Sequence, residues 1–170
     1  VSTINHLGGL AQGFAGTDIF TCRKATPMGP DGQPIDLGYV GEVIRVNTAP
    51  LLECLERGCT PVISPTARGE DGKIYNCNAD VAAAVTAIAL KARRLVFMSD
   101  VPGLLQNPKD PSTLIRHLDS SEVPGLKRAG VIDAGMIPKV DSAVSALKAG
   151  VEKVQFIDGR LPHSCLLYTS

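Results

Sequence analysis

The stretch Asp80–Ser99, DVAAAVTAIALKARRLVFMS, decides the fold class. An acidic residue opens a run of Ala, Val and Ile that contains neither Gly nor Pro. It reads as a helix from Asp80 to about Ala92, with the acid placed in the first turn, where the helix dipole favours it. Arg94–Ser99 (RLVFMS) follows as a short, nearly continuous apolar run and reads as a buried strand. A helix that feeds directly into such a strand is the repeating unit of a parallel sheet covered by helices.

The same alternation extends in both directions. Upstream, Thr48 is a predicted N-cap for a helix through Arg57, with Gly58 as its stop. Thr60–Ser64 (TPVIS) reads as a short buried strand and Asp71–Gly72 as a hairpin turn. Downstream, a loop is expected over Val101–Pro111 and a helix from about Ser120 to Ala129. Pro138 suits the first turn of the next helix, which carries Val140, Ala143, Val144 and Leu147 on one face and ends at Gly150. Lys153–Ile157 (KVQFI) is the last predicted strand. The first third reads differently. Pro27–Pro34 (PMGPDGQP) must be loop, and Val40–Val46 alternates at the period of a half-buried strand, so this part is expected to form a β-hairpin or lid beside the main sheet.

The bulk composition narrows the function classes. The 170 residues fit one domain or a large piece of one. Lys+Arg and Asp+Glu both number 17, a balance that supports neither a nucleic-acid nor an acidic-membrane partner. Aromatic residues make up 4% and Trp is absent, so the core has to be built from Val, Ile, Leu and Ala. No apolar run approaches the ~18 residues of a membrane span, and no signal peptide opens the chain. The five cysteines (Cys22, Cys54, Cys59, Cys77 and Cys165) are odd in number and match no zinc spacing. They read as buried or idle reduced thiols of a cytoplasmic protein. The chain starts at Val1 and enters at once on VSTINHLGGL, which reads as the middle of something, so a fragment is expected.

Three stretches could carry chemistry, because ligands in open α/β sheets gather at the carboxyl ends of strands. The first is Tyr75–Asp80 (YNCNAD), which joins an extended segment to a helix. Asn76 and Asn78 offer amides suited to a carboxylate or amide ligand. Capping of the helix by Asn78 or Asp80 is the competing reading, and both can hold. The second is Ser99–Leu105 (SDVPGLL). Asp100 directly follows a hydrophobic strand and Gly103 permits close backbone approach, which fits a nucleotide edge, a ribose or a role near Mg²⁺; an ordinary strand-exit turn is the alternative. The third is Gly135–Lys139 (GMIPK). A lysine at a helix start opposes the helix dipole, unless an anion sits there and is held by both; a solvated surface lysine explains it equally. Gly8, Gly9 and Gly13 form no phosphate-loop or dinucleotide fingerprint. His6, His117 and His163 are scattered and expected to face solvent or to be structural. No G-x-S-x-G elbow anchors a hydrolase reading.

In unbroken order, GGLAQGFAGTD, LGYVGEV, YNCNAD, DVAAAVTAIALKA, LVFMSDVPGLL, GVIDAGMIPK and FIDGRLPH resemble the acetylglutamate kinases of arginine biosynthesis, members of the amino-acid-kinase superfamily. The resemblance implies a three-layer α/β/α sandwich around a mainly parallel sheet, the carbamate-kinase-like fold, here incomplete. Residues 1–163 would be the middle and C-terminal, ATP-binding part of a single domain, and 164–170 (SCLLYTS) an atypical tail of foreign character. It implies ATP-dependent phosphorylation of the γ-carboxylate of N-acetyl-L-glutamate, with the fragment inactive alone. Lys139 would stabilise the transferring phosphoryl group, Asp80 would hold the catalytic lysines, and Asn76 would bind acetylglutamate. Asp100, Val101, Pro102, Gly103, Leu104 and Leu105 would line the ATP site, with Val131, Ile132, Asp133, Gly135 and Met136 close by. Mg²⁺ would be held mainly by the phosphates, with no dedicated protein metal site. Partners would be the two small-molecule substrates, with no nucleic acid or membrane, in a cytoplasmic enzyme whose full-length form is a homo-oligomer. A sister kinase of an aminoadipate-type substrate from lysine biosynthesis, and a non-catalytic sensor module of the same fold, are the alternatives.

Overall fold

The structure is a computed structural model that describes residues 1–107, 109–132 and 135–164. The chain forms two compact units, one spanning Val1–Leu90 and a second beginning at Lys91. The first contains α1 (Ser2–His6), β1 (Ala11–Phe14), α2 (Gly16–Ile19), β2 (Phe20–Lys24), β3 (Gly41–Val46), α3 (Ala49–Glu56), β4 (Thr60–Ile63), β5 (Thr66–Gly69), β6 (Ile74–Asn76) and α4 (Ala79–Ala89). The second contains β7 (Arg94–Ser99), a 3₁₀ turn at Pro111–Thr113, α5 (Val123–Arg128), α6 (Ile137–Lys148) and β8 (Lys153–Asp158).

In the first unit β1 lies parallel to β4, in register from Ala11 opposite Thr60 to Phe14 opposite Ile63. A parallel pair needs a crossover, and α3 lies on this one. The helix closes as its sequence suggests. Gly58 takes φ +70, its N–H bonds to the Leu55 carbonyl, and the Cys59 N–H reaches the Cys54 carbonyl, the double bond of a Schellman stop. Thr48 occupies the predicted N-cap position but makes no side-chain capping bond. A second sheet has the order β3-β2-β5-β6. Its centre, β2 with β5, is parallel. Its flanks are the expected hairpin of β2 with β3 and the hairpin β5–β6, which turns over Asp71–Gly72. Ile19, Phe20, Cys22, Leu51, Ala67, Tyr75, Cys77 and Ala82 form the core beneath it.

The second unit is simpler. β7 and β8 pair in parallel through six positions, from Arg94 opposite Lys153 to Ser99 opposite Asp158. Phe97 and Phe156 stack across this pair with centroids 5.4 Å apart. Leu104, Val123, Ile132 and Val140 form a core, with Ile115, Leu118, Leu126, Met136, Val144 and Phe156 packed on it. Of the five strand pairings among the described residues, β1–β4, β2–β5 and β7–β8 are parallel, and the two antiparallel ones are hairpins. The α/β class with mainly parallel pairing is therefore as the sequence indicated.

Two helix boundaries differ from the sequence reading. α4 stops at Ala89, because Lys91 takes φ +51 and turns the chain toward β7. α5 begins at Val123 instead of Ser120. Pro124 stands in its first turn, and residues 119–122 form a preceding turn in which the Glu122 carboxylate accepts from the Asp119 N–H at 2.9 Å. The tail residues 165–170 lie outside the described residues.

Gly16 is a fixed point of the first unit. A Cβ there would lie 2.1 Å from both the Ser64 and Thr66 carbonyl oxygens, main-chain atoms that cannot swing aside. Its own N–H donates to the Ser64 hydroxyl at 2.9 Å. Gly16→Ala is expected to destabilise the chain by about 1–3 kcal/mol or more, as overpacking does, read as a lowered urea midpoint at unchanged m-value.

Candidate functional site

The YNCNAD stretch resolves into separate tasks. Tyr75 is buried and its hydroxyl donates to Asp71 Oδ2 at 2.9 Å. That bond is the main reason the Asp71 carboxyl lies below its ordinary range and the Tyr75 phenol above its own. Asn76 ends β6 opposite Thr66. Its N–H is spent on the Tyr39 carbonyl at 2.8 Å, which leaves the exposed carboxamide at a strand end. Cys77 turns inward beside Cys22, and burial pushes its thiol up to about 11, so it stays protonated and is no nucleophile. Asn78 caps α4, its Oδ1 accepting from the N–H groups of Asp80 (2.9 Å) and Val81 (3.1 Å). The capping role thus falls to Asn78. Asp80 stands half-buried in the first helical turn. Cys22, Cys54, Cys59 and Cys77 are free and buried.

In the second unit Asp100 and Val101 are exposed immediately past the carboxyl end of β7. Pro102, Gly103 and Leu104 line a cleft of about 700 Å³, together with Arg116, His117, Lys153 and Phe156, a volume within the usual range for small-molecule sites. Leu105 bridges Leu114. Ile132 is buried with Leu104 in the core, and Met136, half-buried, packs against it. Val131 is half-buried and Gly135 exposed; Asp133 lies outside the described residues. Lys139 sits half-buried in the first turn of α6, where Met136 supplies no side-chain cap. His117 faces this cleft and is exposed, as His6 and His163 are.

Sequence reasoning passed over one group. Asp158, the last residue of β8, is 7% exposed and holds Arg160 in a two-pronged pair, Nε to Oδ1 at 2.9 Å and Nη2 to Oδ2 at 2.8 Å. The Arg160 N–H also donates to Asp158 Oδ1 at 3.0 Å. The arginine pair, aided by that N–H, holds the Asp158 carboxyl below its usual range, and the guanidinium is held above its own by Asp158 first and by nearby Asp100 as well. The signal was available: an acid directly after an apolar strand singled out Asp100, and Asp158 has the same placement. Among the described residues no cluster of three or more His, Cys, Asp or Glu could hold a metal ion. No helix among them is long and apolar enough to cross a membrane.

The second unit places Asp100 and the Asp158–Arg160 pair at strand ends and Lys139 at a helix start, where α/β proteins gather ligands. The amino acid kinase family pattern matches residues 4–158, and the chain belongs to that family. Acetylglutamate kinases from Akkermansia muciniphila and Clostridium beijerinckii are 47% and 48% identical to it over 169 and 168 residues. Each match takes in 98% of this chain, and 57% and 58% of the respective relative, so the chain spans somewhat more than half of their length. Among solved structures, N-acetylglutamate synthase from Neisseria gonorrhoeae, in complex with coenzyme A and L-arginine, superposes with a TM-score of 0.77 at 27% identity, over 93% of this chain and 34% of that one.

A pH dependence follows from Asp158. A carboxyl held below its unfolded value adds stability that is fully present above about pH 4, the unfolded carboxylate range, and is lost as pH falls through the folded value. Asp158→Asn is expected to lower the melting temperature at pH 7 and to flatten its decline between about pH 5 and pH 2, followed by thermal unfolding across that range.

Proposed function

We propose that this chain is the middle and nucleotide-binding part, residues 1–163, of a single acetylglutamate-kinase domain that uses ATP to phosphorylate the γ-carboxylate of N-acetyl-L-glutamate. The observation that carries this reading is the 47% identity to an acetylglutamate kinase over 98% of the chain. The carboxylate nucleophile is already ionised at neutral pH, so no general base is required. Phosphoryl transfer then depends on alignment and on neutralising charge. Lys139, in the first turn of α6, neutralises charge on the transferring group, and Asp80 orients the lysines. Asn76 presents its exposed carboxamide to acetylglutamate. Asp100–Leu105 forms the nucleotide edge, with Val131, Ile132, Asp133, Gly135 and Met136 around and beneath it. Mg²⁺ arrives with the phosphates. A cytoplasmic location and a homo-oligomeric full-length form belong to the same reading.

The test is ADP release in a chain extended to the relatives' full length, with acetylglutamate and aminoadipate derivatives compared as acceptors. Acetylglutamate is expected to be preferred. Lys139→Ala should lower kcat about 10²–10³-fold, the usual cost of one charge-stabilising donor. Asn76→Ala should chiefly raise KM for acetylglutamate and leave the melting temperature in place.

A second reading, a non-catalytic sensor module, is favoured by the similarity to a synthase solved with L-arginine. Binding of L-arginine by the extended chain with no acetylglutamate-dependent ADP release would select it over the first.

A further inference from the structure

The Asp158–Arg160 pair has no part in the roles assigned above, yet its geometry is specific. Register places Ser99 directly opposite Asp158 at the carboxyl ends of β7 and β8. The Gly159 N–H then crosses to the Ser99 carbonyl at 2.8 Å, and the Ser99 hydroxyl donates to Asp100 Oδ1 at 3.3 Å. The segment Asp158–Arg160 is thereby stitched to the residue that opens the Asp100–Leu105 loop. Asp158 is buried, whereas the Arg160 side chain is 65% exposed. The pair spans only two residues of sequence, so it closes no long loop, and its contribution to stability is the carboxyl's own. What it does is immobilise a guanidinium. Two of the five guanidinium N–H groups are committed to Asp158, and the charge of Asp100 acts on the same guanidinium.

We propose that Arg160 is a positioning residue of the nucleotide end: clamped by Asp158, it holds the Asp100–Leu105 loop in its binding shape. This rests on the nucleotide reading for its ligand, but the effect on the loop stands independently of any ligand. The clamp depends on the planar fork, which matches both carboxylate oxygens at once, and a lysine cannot reproduce that. Charge alone is therefore insufficient.

Amide hydrogen exchange and binding of a fluorescent ATP analogue with Mg²⁺ test this on the present chain and its Arg160→Gln, Arg160→Lys and Asp158→Asn variants. All three variants are expected to speed exchange across residues 100–105 about tenfold, the loss attached to one charge-assisted hydrogen bond, with strand residues 94–98 unchanged. Analogue affinity should fall by a similar factor. Loop exchange within about twofold of the parent in Arg160→Gln, full rescue by Arg160→Lys, or acceleration spread evenly over the unit would each overturn the proposal. Failure of the parent chain to bind the analogue would count against the nucleotide reading instead, while the exchange data would still decide the role of Arg160.

Discussion

Six consecutive parallel pairings between β7 and β8 determine what can meet at the mouth of the second unit. Side chains in a strand alternate faces, so a slip of one residue would exchange every inward group for an outward one. The register is held by Leu95, Phe97 and Ile157, all buried, and by the stacked Phe97–Phe156 pair. Given that register, Ser99 must face Asp158, and the chain must leave both strands at the same level. Asp100 and Gly159 then follow directly on paired strand ends, joined by the Gly159 N–H to the Ser99 carbonyl. The parallel direction also obliges the chain to cross over, and α5 and α6 both lie on that crossover, which brings Val140 of α6 onto the core and puts Lys139 one residue before it in the first helical turn.

The first unit solves a different problem with the same economy. Its hairpin β5–β6 has to deliver Asn76 at a strand end and start α4 three residues later. Alternation does this: Tyr75 and Cys77 point into the core, Asn76 and Asn78 point out. One outward Asn, Asn78, caps the helix, worth about 1 kcal/mol, and the other, Asn76, keeps an exposed carboxamide. This difference between two chemically identical side chains follows from their spacing relative to the helix start. The structural reading of the motif belongs to Asn78, and the functional one is proposed for Asn76.

Much of this was legible beforehand because it is local. The Ala-rich helix, the strand RLVFMS, the Gly58 stop, the Asp71–Gly72 turn and the first turn at Pro138 each rest on the intrinsic preferences of a few neighbouring residues. The short strands β1 and β2 were not read. AQGF and FTCRK contain Gly or charge and depend on distant partners, Thr60–Ile63 and Gly41–Val46, for their hydrogen bonds. Among candidate site residues, Asp100 stood out because a Pro and a Gly follow it and mark a loop. Asp158 was passed over although it stands in the same position, since its significance appears only once Arg160 folds back on it. Ile132, read close to the nucleotide, is buried in the core, a packing role that sequence order does not distinguish from a place beside a ligand.

The account's central claim is that the nucleotide binds at the carboxyl ends of β7 and β8 and at the start of α6. Mapping the backbone amide resonances of the isotopically labelled chain during titration with MgATP tests it most directly. The shifted amides are expected to cluster at Asp100–Leu105, Gly159–Arg160 and Lys139, with the β3-β2-β5-β6 sheet unmoved. Shifts confined to that sheet, or to the α1–β1 segment, would contradict it.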